Sequence, residues 1–288
     1  MRLLDVLQRS AVFLASRGVE SSRLEAEWLL ARVLGLPRLQ LYLQFERVLT
    51  EPELAEARSM VQRRGQRIPL QHLLGTAVFC GREMETSGAA LIPRPETEGL
   101  VERAVAWLRG RAMAPDRAWE VLDWGTGTGC LAVTLALEVP RARVTAVEVS
   151  PDAVALARRN AERHGCGDRV RVLLSDGMAE VEAGRRFDLV VANPPYIPSG
   201  DLAGLAPEVR DHDPRLALDG GEDGLEVYRR LGVELQERLA PGGAWFCEFG
   251  DGQAADLSDM LRRQGWLVVA VHRDDTMRDR ILHVERTS

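Results

Sequence analysis

The stretch VVANPPYIPSG, Val190–Gly200, runs an apolar, β-branched segment into an Asn, two prolines and a Tyr. Proline has no N–H to give a sheet ladder, so a strand here must stop at Asn193. Pro194 is itself restricted by the ring of Pro195. The product is a stiff ledge of carbonyl acceptors carrying one carboxamide, with Tyr196 beside it. Such a ledge suits a group that donates two N–H bonds. The Asn193 carboxamide oxygen and the Pro194 carbonyl can each accept one, which fixes the nitrogen and aims its lone pair, while Tyr196 packs on the flat face of the substrate. Chemistry at this place would rest on positioning and electrostatics, with no strong base needed before attack.

Three more positions belong with the ledge. VLDWGTGTGC, Val121–Cys130, places Gly125, Thr126, Gly127, Thr128 and Gly129 between a strand and a helix, where glycines let the backbone approach a ligand closely. About twenty residues on, Glu148 ends the next strand, and a carboxylate there can accept both hydroxyls of a ribose. These two features fit a dinucleotide or S-adenosylmethionine equally. LLSDG, Leu173–Gly177, puts Asp176 at the end of a third strand, where it can accept from an adenine amino group. All four sites fall at the carboxyl edge of the sheet, the edge at which open α/β sheets bind ligands. A dehydrogenase has no use for the acceptor ledge at Asn193. A methyltransferase whose nucleophile is an NH2 group does, so the set favours S-adenosylmethionine.

Those positions require alternating strands and helices. Strands are expected at Trp119–Trp124, Arg143–Val149, Val170–Ser175, Phe187–Ala192, Ala244–Phe249, Leu267–His272 and Ile281–Glu285, with helices at Gly129–Leu137 and Pro151–His164. Leu225, Tyr228, Leu231, Leu235 and Leu239 read as a stripe on one helix. The pattern describes an α/β, doubly wound sheet with helices on both faces. Ahead of it, residues 1 to about 70 read as a small helical bundle, with capping boxes at Ser22–Glu25 and Thr50–Glu53. A hairpin is expected around Gly81, and IPRPETE leads into a further helix. The resulting division is 1–72, bundle; 73–97, hairpin and linker; 98–288, catalytic domain. The segment Ile197–Gly221 is long for a loop in a compact domain and reads as a cover over the site.

Composition narrows the function further. All 37 basic side chains are Arg, so no mechanism with a catalytic lysine is available. The net charge of −6 argues against nucleic-acid binding through the whole surface. Residues 1–88 carry 12 Arg against 10 acids and the remainder 25 against 33, so the excess of acid lies in the catalytic part. Cys80, Cys130, Cys166 and Cys247 are scattered, without metal-type spacing, as are the histidines. No metal is expected, and the thiols read as reduced cytoplasmic cysteines. No apolar run approaches the length of a membrane span, and MRLLDVLQRS reads as helix rather than signal peptide. No heptad or apolar interface stripe stands out, so a monomer is expected.

With these stretches the chain resembles the PrmC/HemK family, the protein-(glutamine) methyltransferases of translation release factors. The resemblance spans nearly all 288 residues: the helical bundle, LLG at Leu73–Gly75, IPRPETE at Ile92–Glu98, GTGTG at Gly125–Gly129, NPPYIP at Asn193–Pro198 and PEVRDHDPRLALDGGEDGLEVYR at Pro207–Arg229. NPPY is shared with nucleic-acid amino-methyltransferases; IPRPETE together with Pro207–Arg229 is more specific. The resemblance implies a class I, Rossmann-like, S-adenosylmethionine-dependent fold. It also implies methyl transfer to the glutamine amide of the Gly-Gly-Gln loop in class I peptide release factors. Carried over, Gly125–Gly129, Glu148, Asp176, Gly177 and Asn193 would hold the cofactor, and Asn193, Pro194, Pro195 and Tyr196 the glutamine. The bundle would dock the release factor. Three positions depart from the family: Gly177 replaces a bulky residue, Trp124 a small aliphatic and Asp213 a Glu. The first implies that stacking on adenine is weaker or supplied elsewhere. The rival readings are a DNA or RNA amino-methyltransferase, a nicotinamide dehydrogenase and a non-catalytic binding protein.

Overall fold

A seven-stranded sheet organises the larger part of the chain. The computed structural model describes residues 1–112, 114 and 116–286. Two compact units emerge, Met1–Thr76 with Ala206–His212, and Ala77–Leu205 with the chain from Asp213 onward.

The first unit is built on α1 (Leu3–Ser16), α2 (Ser22–Leu34), α3 (Glu51–Gly65) and α4 (Leu70–Leu74). Leu3, Leu7, Leu14, Leu29, Leu30, Leu41 and Met60 close its core. The capping box forms at Thr50, whose backbone N–H donates to the Glu53 carboxylate at 2.8 Å. The one expected at Ser22 does not form. The helix starts a residue earlier than a Ser22 cap requires, and Glu25 is drawn away to the buried Arg64. Glu208, on the single-turn α8 (Pro207–Arg210), joins that network, accepting from Arg64 at 2.9 Å and Arg67 at 2.6 Å. A desolvated guanidinium shared between two carboxylates leaves neither sign of charge buried alone. Ala206–His212, which sequence order places in the catalytic part, therefore clusters with the helices.

The second unit begins with the hairpin of β1 (Thr76–Phe79) and β2 (Arg82–Glu85), then α5 (Pro95–Arg109). Pro95 fits the first turn of α5 because its missing N–H has no helical partner there. The helix thus opens inside the stretch expected as linker. The sheet is built from β3 (Trp119–Trp124), β4 (Ala142–Glu148), β5 (Val170–Leu174), β6 (Phe187–Ala192), β7 (Leu239–Glu248), β8 (Trp266–Arg273) and β9 (Asp279–Arg286). Its order is β5-β4-β3-β6-β7-β9-β8, with β9 antiparallel to both neighbours and the rest parallel. Helices α6 (Cys130–Glu138), α7 (Pro151–Arg163), α9 (Glu226–Glu234) and α10 (Ala254–Arg263) complete it.

Alternation along the strands feeds two cores. Val121, Leu189 and Val191 pack with α5, α6 and α7, and Leu122, Val190 and Ala192 pack with α9 and α10. Strands buried on both faces read as continuous apolar runs, as β6 does. The stripe expected on one helix is divided: α9 stops at Glu234, and Leu239 opens β7. Leu235 and Leu239 are both buried, so apolar spacing alone could not mark the break.

Candidate active site

The order β4-β3-β6-β7 brings four strand ends side by side: Glu148, the turn after Trp124, Asn193 and Glu248. They arrive together because parallel strands carry their carboxyl ends to one edge, and the sheet reverses between β3 and β6.

The glycine turn is held by carboxylates. Gly125, Gly127 and Gly129 have φ of 71°, 55° and 82°, the left-handed region that a side chain disfavours. Asp123 is fully buried and accepts from the Thr126 hydroxyl at 2.5 Å and from the Ala132 N–H, in the first turn of α6, at 3.1 Å. Burial pushes its carboxyl up to about 7, against those two bonds. Glu148 accepts from the Gly127 N–H and the Ser150 N–H, both at 2.9 Å, one on each oxygen. A carboxylate oxygen has further lone pairs, so both can still accept from a vicinal diol.

Asn193 directly follows β6, and its carboxamide NH2 donates to the Thr97 hydroxyl at 3.1 Å. Thr97, in the first turn of α5, donates in turn to the buried Glu248 at 2.6 Å. The Tyr196 phenol approaches the other Glu248 oxygen at 3.4 Å, and the Tyr228 hydroxyl donates to the Glu248 carbonyl at 2.6 Å. Burial raises the Tyr196 phenol, which stays protonated, and pushes the Glu248 carboxyl up to about 7. Gln253 clamps the ledge from behind, donating to the Tyr196 carbonyl at 2.9 Å.

One cavity of about 530 Å³ joins these pieces, within the size range of small-molecule sites. Thr126, Glu148, Asp176, Asn193, Pro194 and Pro195 line it, with apolar surface from Leu91, Ile92, Leu131, Val147 and Ala153. The cradle fits S-adenosylmethionine: a side chain at Gly125 would enter open space, a carboxylate faces the cavity for a ribose diol, and an apolar wall is available to a base. Pro214, Leu216, Ala217 and Asp219, from the expected cover, contribute a wall. Its base is fixed where Ile197 bridges Asp219 and the Ser199 hydroxyl donates to Asp219 at 2.5 Å. Arg94 at the rim pairs with the buried Asp213 at 2.7 Å, so the shorter acid at that position keeps a partner.

Thus Gly125, Thr126, Gly127, Thr128, Glu148, Asp176, Gly177, Asn193, Pro194 and Pro195 come together around one space. Gly129 does not line it; a Cβ there would meet Ala157 of α7 at 3.1 Å, so this glycine serves close helix packing. Tyr196 does not line the cavity; it packs against the core behind the ledge. Asp176 sits at the rim, largely exposed, paired with Arg230 at 2.6 Å. Gly177 does not leave a gap. A Cβ there would fall within 2.5 Å of the Arg230 guanidinium and 2.6 Å of the Glu234 carboxylate, so α9 fills the place of the bulky residue. Trp124 lines the cavity and packs on the α9–α10 core. Sequence reading passed over Asp123, Thr97, Glu248 and Arg230. Asp123 carried a signal, an acid next to the end of a strand and three residues before a Thr. Glu248 also ends a strand, but nothing local links it to Thr97, 151 residues away.

The sheet order, the glycine turn with its strand-end acid and the Asn-Pro-Pro-Tyr ledge define a class I S-adenosylmethionine-dependent methyltransferase. A family model described as the PrmC N-terminal domain matches residues 5–75, and one described as a methyltransferase small domain matches 108–205. The release factor glutamine methyltransferase of Geobacter sulfurreducens is 47% identical over 278 residues, 96% of this chain and 94% of that protein. That of Deinococcus radiodurans is 41% identical over 286 residues, 99% of each. A solved methyltransferase from Pyrococcus furiosus shares the fold, with a TM-score of 0.51 at 21% identity over 72% of this chain and 91% of its own. The chain belongs to the release factor glutamine methyltransferase family.

Proposed function

We propose that the chain transfers the methyl group of S-adenosylmethionine to the side-chain amide nitrogen of the glutamine in the Gly-Gly-Gln loop of class I peptide release factors. The observation that carries this reading is the shared cavity. In a member of this family, Asn193 and Pro194 line the same space as Gly125–Gly127 and Glu148. S-adenosylmethionine, when bound, supplies an electrophilic methyl on a sulfonium centre. Glu148 and the glycine turn would hold its ribose, and Asp176 and Gly177 its adenine.

The Asn193 carboxamide oxygen and the Pro194 carbonyl accept the two N–H bonds of the glutamine amide, leaving its nitrogen lone pair directed into the cavity. Pro195 keeps the ledge rigid, and Tyr196 braces it from the core side. The nitrogen that takes the methyl, whose former bonding pair would stay on sulfur, becomes positive and gives up one proton to solvent water. Acceptors already aimed at its N–H bonds stabilise that charge without reorganising.

Residues 1–72 serve as the docking module. Leu39 and Leu43 are 70% and 86% exposed, and Trp28 and Tyr42 are partly exposed nearby in sequence, more apolar surface than an isolated bundle needs. No helix among the described residues is long and apolar enough to cross a membrane, which accords with a cytoplasmic enzyme of translation termination. Mass spectrometry of a release factor incubated with the protein and S-adenosylmethionine tests the proposal. One added methyl on the Gly-Gly-Gln glutamine is expected. Methylation of a nucleic-acid base in a parallel incubation, with the factor untouched, would overturn it.

A further inference from the structure

The hydrogen bonds behind Asn193 form a chain with a direction. A threonine hydroxyl has one hydrogen to give. Glu248 takes it, and an ionised carboxylate can only accept. The Thr97 oxygen is left with lone pairs alone for its other neighbour, so Asn193 must turn its NH2 toward Thr97. Its oxygen then faces away from Thr97, toward the cavity that Asn193 lines. Were the hydroxyl hydrogen released, it could donate to the Asn193 oxygen instead. The carboxamide would then flip, presenting two donors to a substrate that is itself a donor. The ledge would repel the group it must hold.

We propose that Thr97 and Glu248 are positioning residues that set the polarity of the Asn193 carboxamide, and that the ledge is competent only while Glu248 is ionised. This rests on the methyl-transfer reading for its substrate, but the hydrogen-bond polarity is a property of the protein alone. Thr97 reaches the site from α5, Asn193 from the residue after β6 and Glu248 from the end of β7, so three segments converge on one short relay.

The groups around Glu248 decide where it titrates. Burial raises its carboxyl most, and Glu96 on α5 raises it further. The Thr97 hydroxyl, Arg280 on β9 and the Tyr196 phenol lower it, and the balance lies at about 7. The Tyr228 hydroxyl of α9 is spent on the Glu248 carbonyl and does not reach the carboxylate oxygens in this arrangement. The relay is thus poised near neutrality: protonation below about 7 frees the Thr97 hydrogen, and ionisation above it restores the acceptor.

The test uses the full-length protein with a release factor and S-adenosylmethionine, comparing Thr97→Ser, Thr97→Val and Glu248→Gln. Inverting one hydrogen bond costs about tenfold, so Thr97→Val and Glu248→Gln should lose about tenfold in kcat, with cofactor affinity by calorimetry nearly unchanged. Thr97→Ser, which keeps the hydroxyl, should stay within about threefold of the parent. The parent kcat should rise with pH through about 7, and Glu248→Gln should lack that inflection. A second readout needs no substrate. The side-chain amide NMR signals of Asn193, assigned by their loss in Asn193→Asp, should titrate in the parent and not in Glu248→Gln. Equal rates for Thr97→Ser and Thr97→Val, or an unchanged titration of the Asn193 amide in Glu248→Gln, would overturn the relay. Loss of release-factor methylation in the parent, with the amide titration intact, would overturn only the substrate.

Discussion

Replacing Asn193 separates an acceptor from a shape, and the relay makes the outcome depend on pH. Asn193→Ala removes the oxygen that receives a substrate N–H. Losing one preorganised hydrogen bond of this kind costs roughly 10²–10³ in turnover, about 3–4 kcal/mol. Asn193→Asp keeps an acceptor of similar reach, which on chemistry alone would place it between Asn and Ala. The neighbours alter that order. The NH2 it loses is the group that donates to Thr97, and behind Thr97 lies Glu248. Two carboxylates would then stand within about 6 Å, and at an effective dielectric of 20 their repulsion is about 3 kcal/mol. Above neutrality the Asp variant should therefore fall toward the Ala variant. At lower pH the pair shares one proton; the introduced carboxyl, once protonated, donates to Thr97 and leaves its carbonyl oxygen facing the cavity. Its rate should rise as pH falls, opposite to the parent, whose Glu248 must be ionised. Single-turnover transfer of labelled methyl at saturating cofactor, from about pH 6 to about pH 9, reads this directly, with cofactor affinity measured separately. If Ala equals Asp at every pH, or if the Ala defect disappears as cofactor is raised, Asn193 is a structural or cofactor residue and the account of the ledge is wrong.

Glu148→Ala should weaken cofactor binding about 10–100-fold by calorimetry, because it removes the acceptor for the Gly127 and Ser150 N–H groups as well as for the ribose. Leu39→Asp with Leu43→Asp should raise KM for an intact release factor several-fold without changing cofactor affinity. Both side chains are exposed, so thermal unfolding should barely move. Glu248 binds a proton more tightly folded, near 7, than its ordinary 4.5, so the native state holds more protons between those values and stability falls as pH rises through that window. Glu248→Gln removes that dependence, and its advantage in thermal unfolding should widen by about 3 kcal/mol from about pH 5 to about pH 8. A constant difference across that range would show that Glu248 is not the titrating group.

Much of the chemistry was legible in the chain because it is local. The turn at Gly125–Gly129, the acids at Glu148 and Asp176 and the ledge at Asn193–Pro195 are short segments whose spacing and stiffness follow from backbone sterics, and the strand–helix alternation sends them to one edge. The strands from Trp119 to Ala192 were legible for the same reason, being apolar runs bounded by turns. What lay beyond the sequence depended on long-range approach. Whether Gly177 left a gap was decided by Arg230 and Glu234 arriving from α9. Whether Ser22 capped a helix was decided by the pull of Arg64 on Glu25. Above all, the partner of Asn193 was fixed only when α5 and β7 carried Thr97 and Glu248 to the end of β6. A hydrogen bond has a reach of about 3 Å and no memory of sequence distance. The residues that could hold a methyl acceptor could therefore be read in order along the chain, while the direction in which they hold it was settled by packing.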